Sequence, residues 1–261
     1  MVIKEAPVAQ NRFFIDFVSR TETMFTEFEN DYIFEGFGNY HNLNELLQAL
    51  GSGKKNIIYC NSIDDTINFA LDFSKCVQYK KDTRIDDVIK LIQQYLHKDY
   101  YLIDCLKKGV AFHFGKLPQR IRECIEELFE EKVIDYIFCT STLLEGVNLP
   151  AQNIFILNNT IGTRKFTDID FWNLAGRAGR LSKELSGNII CVRLDSSKWK
   201  TKEDDIKIIR EKVIHDVSPT ILKGEENFYK NIENSLTGKP FTRAKPTQSQ
   251  IETWNHYANI V

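Results

Sequence analysis

The chain has 261 residues, of which 43% are hydrophobic, and a formal net charge of −2. This length and apolar content suffice for one large core, alone or with a small appendage. The balanced charge gives no global support for non-specific binding to nucleic acid. The six cysteines form no CxxC pair, which argues against a zinc site and a disulfide framework and fits a cytoplasmic protein. The sequence has no apolar targeting region at its N-terminus and no apolar run of membrane-spanning length, so we expect no membrane partner.

The N-terminal segment, residues 1–50, holds two β-rich runs, FFIDFVS and TMFTEF, followed by the helical pattern NLNELLQAL. The two runs predict a hairpin around Arg20 to Glu22. We interpret the segment as an N-terminal β/α extension or an interdomain linker.

The stretch GSGKKNIIYC, which begins at Gly51, has the composition of a phosphate loop. A phosphate loop needs a strand before its glycines and a Ser or Thr after its lysine. Here a helical pattern precedes Gly51, Lys54 is followed by Lys55, and the strand comes afterwards. We therefore predict a turn into a strand at this place.

Residues 51–196 alternate short β-rich runs with helical patterns; the runs are NIIYCNS, GVAFHF, DYIFCTS, NIFIL and GNIICVRL. This alternation predicts a parallel sheet with helices on both faces, an α/β fold. Ser62, with Asp65 three residues later, predicts a helix start, and PQRIRECIEELFEEK predicts an amphipathic helix. Residues 80–108 predict a helical insertion. Residues 197–261 predict a helical tail, with one helix from Ile206 to His215, or the start of a further domain.

Ligands of open α/β sheets gather at the carboxyl ends of the strands. The loop after NIFIL leads into FWNLAGRAGR. If this segment is helical, with Asp168 or Asp170 as its cap, then Asn173, Arg177 and Arg180 share one face. Paired guanidinium groups match the oxygens of a transferring γ-phosphoryl group and keep their charge. The alternative is a helix end with solvated arginines.

The run TSTLLEGVNLPA follows the strand DYIFC. Thr140, Ser141 and Thr142 offer hydroxyl groups to a phosphate at the point where the chain leaves the strand. Gly146 permits a sharp turn, and Asn148 can bond a sugar hydroxyl. This pattern indicates a second phosphate-facing segment.

These two segments, in this order and strand context, resemble motifs V and VI of the C-terminal RecA-like domain of superfamily-two helicases, in the DExH branch with the Ski-like helicases. NIIYCNS resembles motif IV of the same family. The resemblance covers roughly residues 56–194. It implies a RecA-like fold, ATP with Mg²⁺ as cofactor, and a DNA or RNA strand as partner.

The resemblance also implies roles for single residues. Arg177 and Arg180 are expected to reach the γ-phosphate of ATP. The residues expected to lie at the nucleotide are Gly146, Asn148 and Asn173, the last in a position where the family usually has glutamine. The residues expected to contact the nucleic-acid strand are Asn61, Ser62, His113, Gly115, Thr140 and Ser141. For His113 the residues themselves allow strand-end packing as well as a phosphate contact.

The sequence contains neither a Walker A lysine nor a DExH acidic pair, which belong to the first RecA-like domain of such a motor. We therefore expect a second motor domain of an ATP-dependent helicase, inactive alone. An N-terminal RecA-like domain, in the same protein or in trans, would hold most of the ATP and Mg²⁺. The alternative is a non-catalytic RecA-like module that binds nucleic acid or a protein. Contacts to phosphates carry no base information, so both DNA and RNA stay open.

Overall fold

The computed structural model describes residues 9–25, 32–143, 149–178, 186–199, 209, 226–242 and 246–258. The chain divides into two compact units, residues 1–212 and residues 213–261. Within the described residues, no helix is long and apolar enough to cross a membrane. The predicted helix from Ile206 to His215 lies outside the described residues, apart from Ile209. The predicted segment boundaries after residues 50 and 196 stay predictions.

Most strands of the first unit belong to one sheet. The strands are β1 Ala9–Asp16, β2 Thr21–Phe25, β3 Tyr32–Ile33, β4 Asn56–Tyr59, β5 Val110–His113, β6 Tyr136–Cys139, β7 Asn153–Ile156, β8 Thr160–Ile161, β9 Arg164–Lys165 and β10 Ser186–Arg193. The described residues form an eight-stranded sheet in the order β3-β2-β1-β10-β7-β4-β6-β5, and β8 pairs with β9 separately. The pairs from β1 to β5 along this order are parallel, whereas β2 and β3 add antiparallel pairs at one edge.

The α-helices of the first unit connect or flank these strands. The helices are α1 Leu43–Gly51, α2 Ile63–Ser74, α3 Thr83–Tyr95, α4 Leu102–Leu106, α5 Gln119–Glu130 and α6 Asp168–Ala175 in the first unit, with α7 Glu226–Thr237 and α8 Gln248–Ala258 in the second. A short 3₁₀ turn covers Ser141–Leu143. The parallel α/β fold is therefore confirmed, with α3 and α4 inside the predicted insertion.

Two local sequence patterns, a helix cap and an apolar stripe, predicted their elements correctly. Ser62 caps α2, because its hydroxyl accepts a hydrogen bond of 3.0 Å from the Asp65 amide. In α5, the predicted apolar stripe faces the core, since Ile121, Ile125 and Phe129 are fully buried. Residues close together in the sequence thus determine where α2 begins and which face of α5 is buried.

The glycine-rich stretch before β4 forms a turn, as predicted. Helix α1 ends at Gly51, and β4 begins at Asn56. The left-handed turn residue is Gly53, with φ of 73°, a conformation that favours glycine. Lys55 is buried, with its ammonium 4.9 Å from the centre of the Phe129 ring. This segment leads the chain into the sheet and offers no exposed lysine at Lys55.

The N-terminal segment contributes a strand to the main sheet. The predicted hairpin is present, with β1 and β2 antiparallel. On its other side, β1 pairs in parallel with β10, which comes from the far end of the unit. The extension expected from the sequence is therefore continuous with the sheet that carries the site.

Four asparagine side chains cross the amino end of the sheet as one ladder of amides. Asn11 donates to Asn188 at 3.0 Å, Asn188 donates to Asn153 at 2.8 Å, and Asn153 donates to Asn56 at 2.8 Å. These residues are aligned in register on β1, β10, β7 and β4. Asn153 also donates to the Leu50 carbonyl of α1 at 2.9 Å. The ladder therefore ties four strands and one helix end together.

Helices cover both faces of the sheet. Successive side chains of a strand point to opposite faces. The Asn11 side chain joins the ladder that reaches α1, while the neighbouring Gln10 side chain contacts the end of α6. Helices α1 and α6 therefore lie on opposite faces.

The second unit has its own small core. Ile232, Trp254 and Ala258 are buried together, and Phe228 and Phe241 pack against them. Asn231 accepts a hydrogen bond of 2.7 Å from the Thr242 amide, which fixes the connection after α7.

Candidate functional site

The carboxyl ends of β4, β6 and β5 meet at one edge of the sheet. Tyr59 pairs with Cys139, and Cys139 pairs with His113, so the residues that follow these strands lie side by side. The structure thus brings together the residues predicted to contact nucleic acid; they are Asn61, Ser62, His113, Gly115, Thr140 and Ser141. They differ, however, in burial and in the hydrogen bonds that they already make within the protein.

Thr140, Thr142 and Gly115 form a small hydrogen-bonded group at this edge. The Thr140 and Thr142 hydroxyl oxygens are 2.9 Å apart, and the Gly115 amide donates to the Thr142 hydroxyl at 3.1 Å. A Cβ atom at Gly115 would lie 3.2 Å from the Thr142 methyl group, so glycine allows this close approach. Gly115 is exposed, and Ser141 beside the group is half-buried. Hydroxyl and amide groups of this kind suit an approaching phosphate.

Asn61 and Ser62 have structural partners at the end of β4. Asn61 donates to the Gly162 carbonyl at 2.7 Å and accepts from the Gly162 amide at 2.7 Å. Gly162 lies in the turn between β8 and β9, with φ of 59°. The Ser62 hydroxyl caps α2 and remains exposed. Asn61 therefore positions the β8–β9 hairpin, which sequence reasoning did not indicate.

His113 lies inside the protein and not on its surface. Its side chain is 0% exposed, and its Nε2 atom is 2.8 Å from Glu126 Oε1 of α5. Burial lowers the pKa of His113 despite the opposing effect of the Glu126 hydrogen bond. A direct phosphate contact needs an exposed ring, so this placement favours strand-end packing over the predicted nucleic-acid contact. The run AFHF gave no local signal for the long-range Glu126 partner.

The helix that leads to the arginines begins earlier than predicted. Thr167 is the N-cap of α6 and forms a capping box with Asp170, so neither Asp168 nor Asp170 is the cap. Asp170 also accepts a hydrogen bond of 3.1 Å from Arg164 of β9, and this bond holds the pKa of Asp170 below its ordinary value. An ion pair between Arg164 and Asp170 thus joins the β8–β9 hairpin to the start of α6.

Helix α6 ends at Ala175, before the arginines. Asn173 is exposed within the helix, whereas Arg177 is half-buried in the turn that follows. The predicted single helical face through Asn173, Arg177 and Arg180 is therefore wrong at Arg177, because the helix stops at the Gly176 C-cap. Arg180, Gly146 and Asn148 lie outside the described residues.

The turn that carries Arg177 lies at the amino edge of the sheet. The Ala151 amide donates to the Arg177 carbonyl at 3.1 Å, and Ala151 pairs with Ala178 just before β7 begins. The residues after β4, β5 and β6 lie at the opposite, carboxyl edge. The stretch from Ala151 to Leu157 spans roughly 20 Å at the rise of an extended strand. Arg177 and the Thr140 group therefore cannot hold the same phosphate.

The turn after α6 carries Arg177, whose guanidinium group was predicted to reach a phosphate. A guanidinium group presents fixed N–H donors that match phosphate oxygens, and the tight backbone turn limits where Arg177 can reach. Within the part of the chain that the structure describes, no group of three or more His, Cys, Asp or Glu side chains is placed to hold a metal ion.

Comparison with known proteins identifies the family of this chain. The family model described as "Helicase conserved C-terminal domain" matches residues 38–182, which is more than half of the chain and includes the Arg177 turn. Anti-bacteriophage protein B of Escherichia coli (strain K12) is 33% identical over 101 residues, which are 39% of this chain and 14% of that protein. Hachiman protein HamB of Bacillus cereus is 34% identical over 110 residues, 41% of this chain and 10% of that protein. ATP-dependent DNA helicase Hel308 of Methanococcus vannielii is 30% identical over 134 residues, 48% of this chain and 18% of that protein. The chain thus spans less than a fifth of each of these relatives.

Proposed function

We propose, from the premise that this chain belongs to the family of helicase conserved C-terminal domains, that it is the second RecA-like motor domain of an ATP-dependent nucleic-acid helicase. One observation carries the proposal: the arginine-bearing turn inside the family match is held by backbone bonds to the end of α6 and to Ala151, two residues before β7. A turn fixed in this way keeps the backbone of Arg177 at a constant position. Such positioning is what a residue acting on a partner domain's ligand requires.

Arg177 and Arg180 are the proposed arginine fingers. Their N–H groups would donate to the oxygens of the γ-phosphoryl group and offset the charge that develops there during transfer. Gly146, Asn148 and Asn173 would line the nucleotide from the same domain. ATP supplies the phosphoanhydride bond whose hydrolysis drives the motor, and an N-terminal RecA-like domain, in the same protein or in trans, would hold most of the ATP and Mg²⁺.

The carboxyl edge is the proposed grip on the nucleic-acid strand. The hydroxyl groups of Thr140 and Thr142, beside the exposed Gly115, are neutral polar groups that suit the sugar-phosphate backbone of a strand. This edge is remote from Arg177, so nucleotide and strand would be handled at separate places. The name of the Methanococcus vannielii relative supports DNA as the strand. The free thiols of all six cysteines, all within the described residues, support a cytoplasmic location.

The alternative function is a non-catalytic RecA-like module. The near-neutral charge of the chain and the asparagine at Asn173 favour it, while the family match through Arg177 and Arg180 favours the motor. The motor needs Arg177 and Arg180 for ATP hydrolysis, whereas the non-catalytic module does not. Substituting these two arginines therefore distinguishes the two functions.

The deciding experiment is kinetic and uses the protein that carries both RecA-like domains. Arg177→Ala and Arg180→Ala should each lower the kcat for nucleic-acid-stimulated ATP hydrolysis by roughly 10³-fold or more. ATP affinity and strand affinity should change little, because Arg177 lies away from the strand edge. Arg120→Ala, which removes an exposed arginine of α5, is the matched control and should leave kcat unchanged. Normal turnover in both finger variants would exclude the proposed motor role.

A second measurement concerns the chain by itself. The isolated chain should bind a single strand weakly and show no ATP turnover, because the Walker A lysine and the acidic Mg²⁺ ligands are not in its sequence. If the pure chain hydrolyses ATP and Arg180→Ala abolishes that activity, the proposal that hydrolysis needs a second domain is wrong.

A further inference from the structure

We propose that Gln10, in the first strand of the sheet, is a positioning residue that holds the Arg177 turn in place. Gln10 is remote in sequence from the helicase motifs, and nothing in its local pattern marks it. The inference rests on the proposed function, because it assigns to Gln10 the task of aiming an arginine finger. Gln10 itself would not touch the nucleotide.

Both hydrogen bonds of the Gln10 side chain reach the backbone around Arg177. Its Nε2 atom donates to the Ala175 carbonyl at 3.2 Å and to the Ala178 carbonyl at 3.2 Å. These two carbonyls flank Gly176 and Arg177 in the chain. One side-chain amide therefore bridges the whole turn.

The turn is held from its other side by main-chain bonds. The Arg177 amide donates to the Leu174 carbonyl at 3.0 Å, and the Arg177 carbonyl accepts from the Ala151 amide at 3.1 Å. A Cβ atom at Gly176 would lie 3.0 Å from the Trp172 carbonyl, so the backbone has little room to shift. With Gln10 on one side and Ala151 on the other, both peptide groups of Arg177 are constrained.

Glutamine suits this task for a chemical reason. The Ala175 carbonyl lies at the end of α6, where carbonyls have no partner within the helix and carry a partial negative charge. The amide NH₂ group has two N–H donors, one for each carbonyl. A glutamate of the same length would be an acceptor facing two acceptors, and would donate only when protonated.

The strand that bears Gln10 is itself well anchored. Gln10 pairs with Gly187 in the parallel ladder between β1 and β10. Arg12, the next residue on the same face, lies 5.9 Å from the centre of the Trp172 ring and donates to the Ile209 carbonyl at 2.9 Å. Strand β1 therefore supports α6 along its length and the Arg177 turn at its end.

The first test is hydrogen exchange on the chain itself. In Gln10→Ala, the amides of Ala151, Arg177 and Ala178 should exchange faster than in the wild type. Gln48→Ala is the matched control, because Gln48 makes the same kind of bond, to the Cys76 carbonyl at 2.6 Å. The control should leave the three amides unchanged. Unchanged exchange in Gln10→Ala would overturn the positioning role.

The second test is kinetic, in the protein with both RecA-like domains. Gln10→Ala should lower the kcat for ATP hydrolysis about tenfold, which corresponds to about 1.4 kcal/mol, with little change in the KM for ATP. Gln10→Glu should be impaired at neutral pH and recover relative to the wild type as the pH is lowered, because only the protonated carboxyl donates. A purely structural loss would not give this pH profile, and its absence would count against the inference.

The two proposals fail in different ways. If Arg177→Ala abolishes turnover and Gln10→Ala has wild-type kcat, the positioning role falls and the motor function stands. If Arg177→Ala keeps normal turnover, the finger assignment falls, and with it the reason for aiming Arg177. A thermal unfolding curve for Gln10→Glu ensures that a folding defect is not read as a loss of positioning.

Discussion

Asn61 and Gly162 are joined by two hydrogen bonds of 2.7 Å, one in each direction, although they come from distant parts of the chain. Asn61 comes two residues after the end of β4, and Gly162 lies in the β8–β9 turn. Tyr59 adds a hydrogen bond of 2.7 Å to the Thr160 carbonyl nearby. The β8–β9 hairpin is therefore anchored to the carboxyl edge of the sheet.

We expect Asn61→Ala to release this hairpin, because it removes both bonds to Gly162. Hydrogen exchange at the Gly162 amide should become faster. Asn61→Asp keeps the acceptor for that amide and should exchange more slowly than Asn61→Ala. Ser62→Ala, which weakens only the cap of α2, is the control. Equal exchange rates at Gly162 in all four proteins would show that Asn61 does not hold the hairpin.

A buried ion pair joins the ends of β1 and β10. Arg193 donates to Asp16 at 2.9 Å, and the Asp16 side chain is only 1% exposed. Burial by itself would raise the pKa of Asp16, but hydrogen bonds from Ser19 and Arg193 outweigh it and lower the pKa. Asp16 also accepts from the Val18 amide at 2.8 Å.

Asp16→Asn should reduce the free energy of unfolding by about 3 kcal/mol or more, because it leaves the Arg193 charge buried without its partner. Urea denaturation followed by circular dichroism measures the change. Asp87→Asn breaks an ion pair with Lys90 that is exposed on both sides, and this control should have no measurable effect. If Asp16→Asn lowers the free energy of unfolding no more than the control does, the pair of Asp16 and Arg193 does not stabilise the fold as predicted.

The buried His113 makes stability depend on pH. Its folded-state pKa is lowered from the ordinary value of 6.5, so the unfolded chain takes up a proton that the folded chain resists. The free energy of unfolding should therefore fall as the pH decreases through about 6.5. His113→Gln should flatten this dependence between pH 7.5 and pH 5.5. His97→Gln, which changes an exposed histidine, should leave it intact; a steep dependence in both variants would exclude His113 as the cause.

Replacing an asparagine of the ladder by the equally sized but charged aspartate should destabilise the fold. In Asn153→Asp the side chain loses its donors to Asn56 and to the Leu50 carbonyl, and a carboxylate is placed in a fully buried site. We expect destabilisation of about 3 kcal/mol. Asn255→Asp, at an exposed position of α8, serves as the control. Similar unfolding midpoints for the two variants would show that the ladder contributes little.

Local chemistry made several elements predictable. The Ser62 cap, the apolar stripe of α5 and the five β-rich runs all depend on neighbouring residues, and each appears in the structure as expected. The end of α6 was misjudged because a sequence pattern does not show where a helix bearing two glycines stops. Gly176 caps it, and Arg177 falls in the turn.

The alternation of strands and helices, the parallel α/β fold and the resemblance that directed attention to Arg177 could all be read from the residues alone. The folded chain was needed to show that His113 is buried against Glu126, that β1 joins the main sheet, and that the Arg177 turn lies at the amino edge, where Gln10 bonds its backbone. The reason is physical. Periodicity and capping act over a few residues along the chain, whereas strand order and side-chain contacts between distant segments exist only once the sheet has assembled.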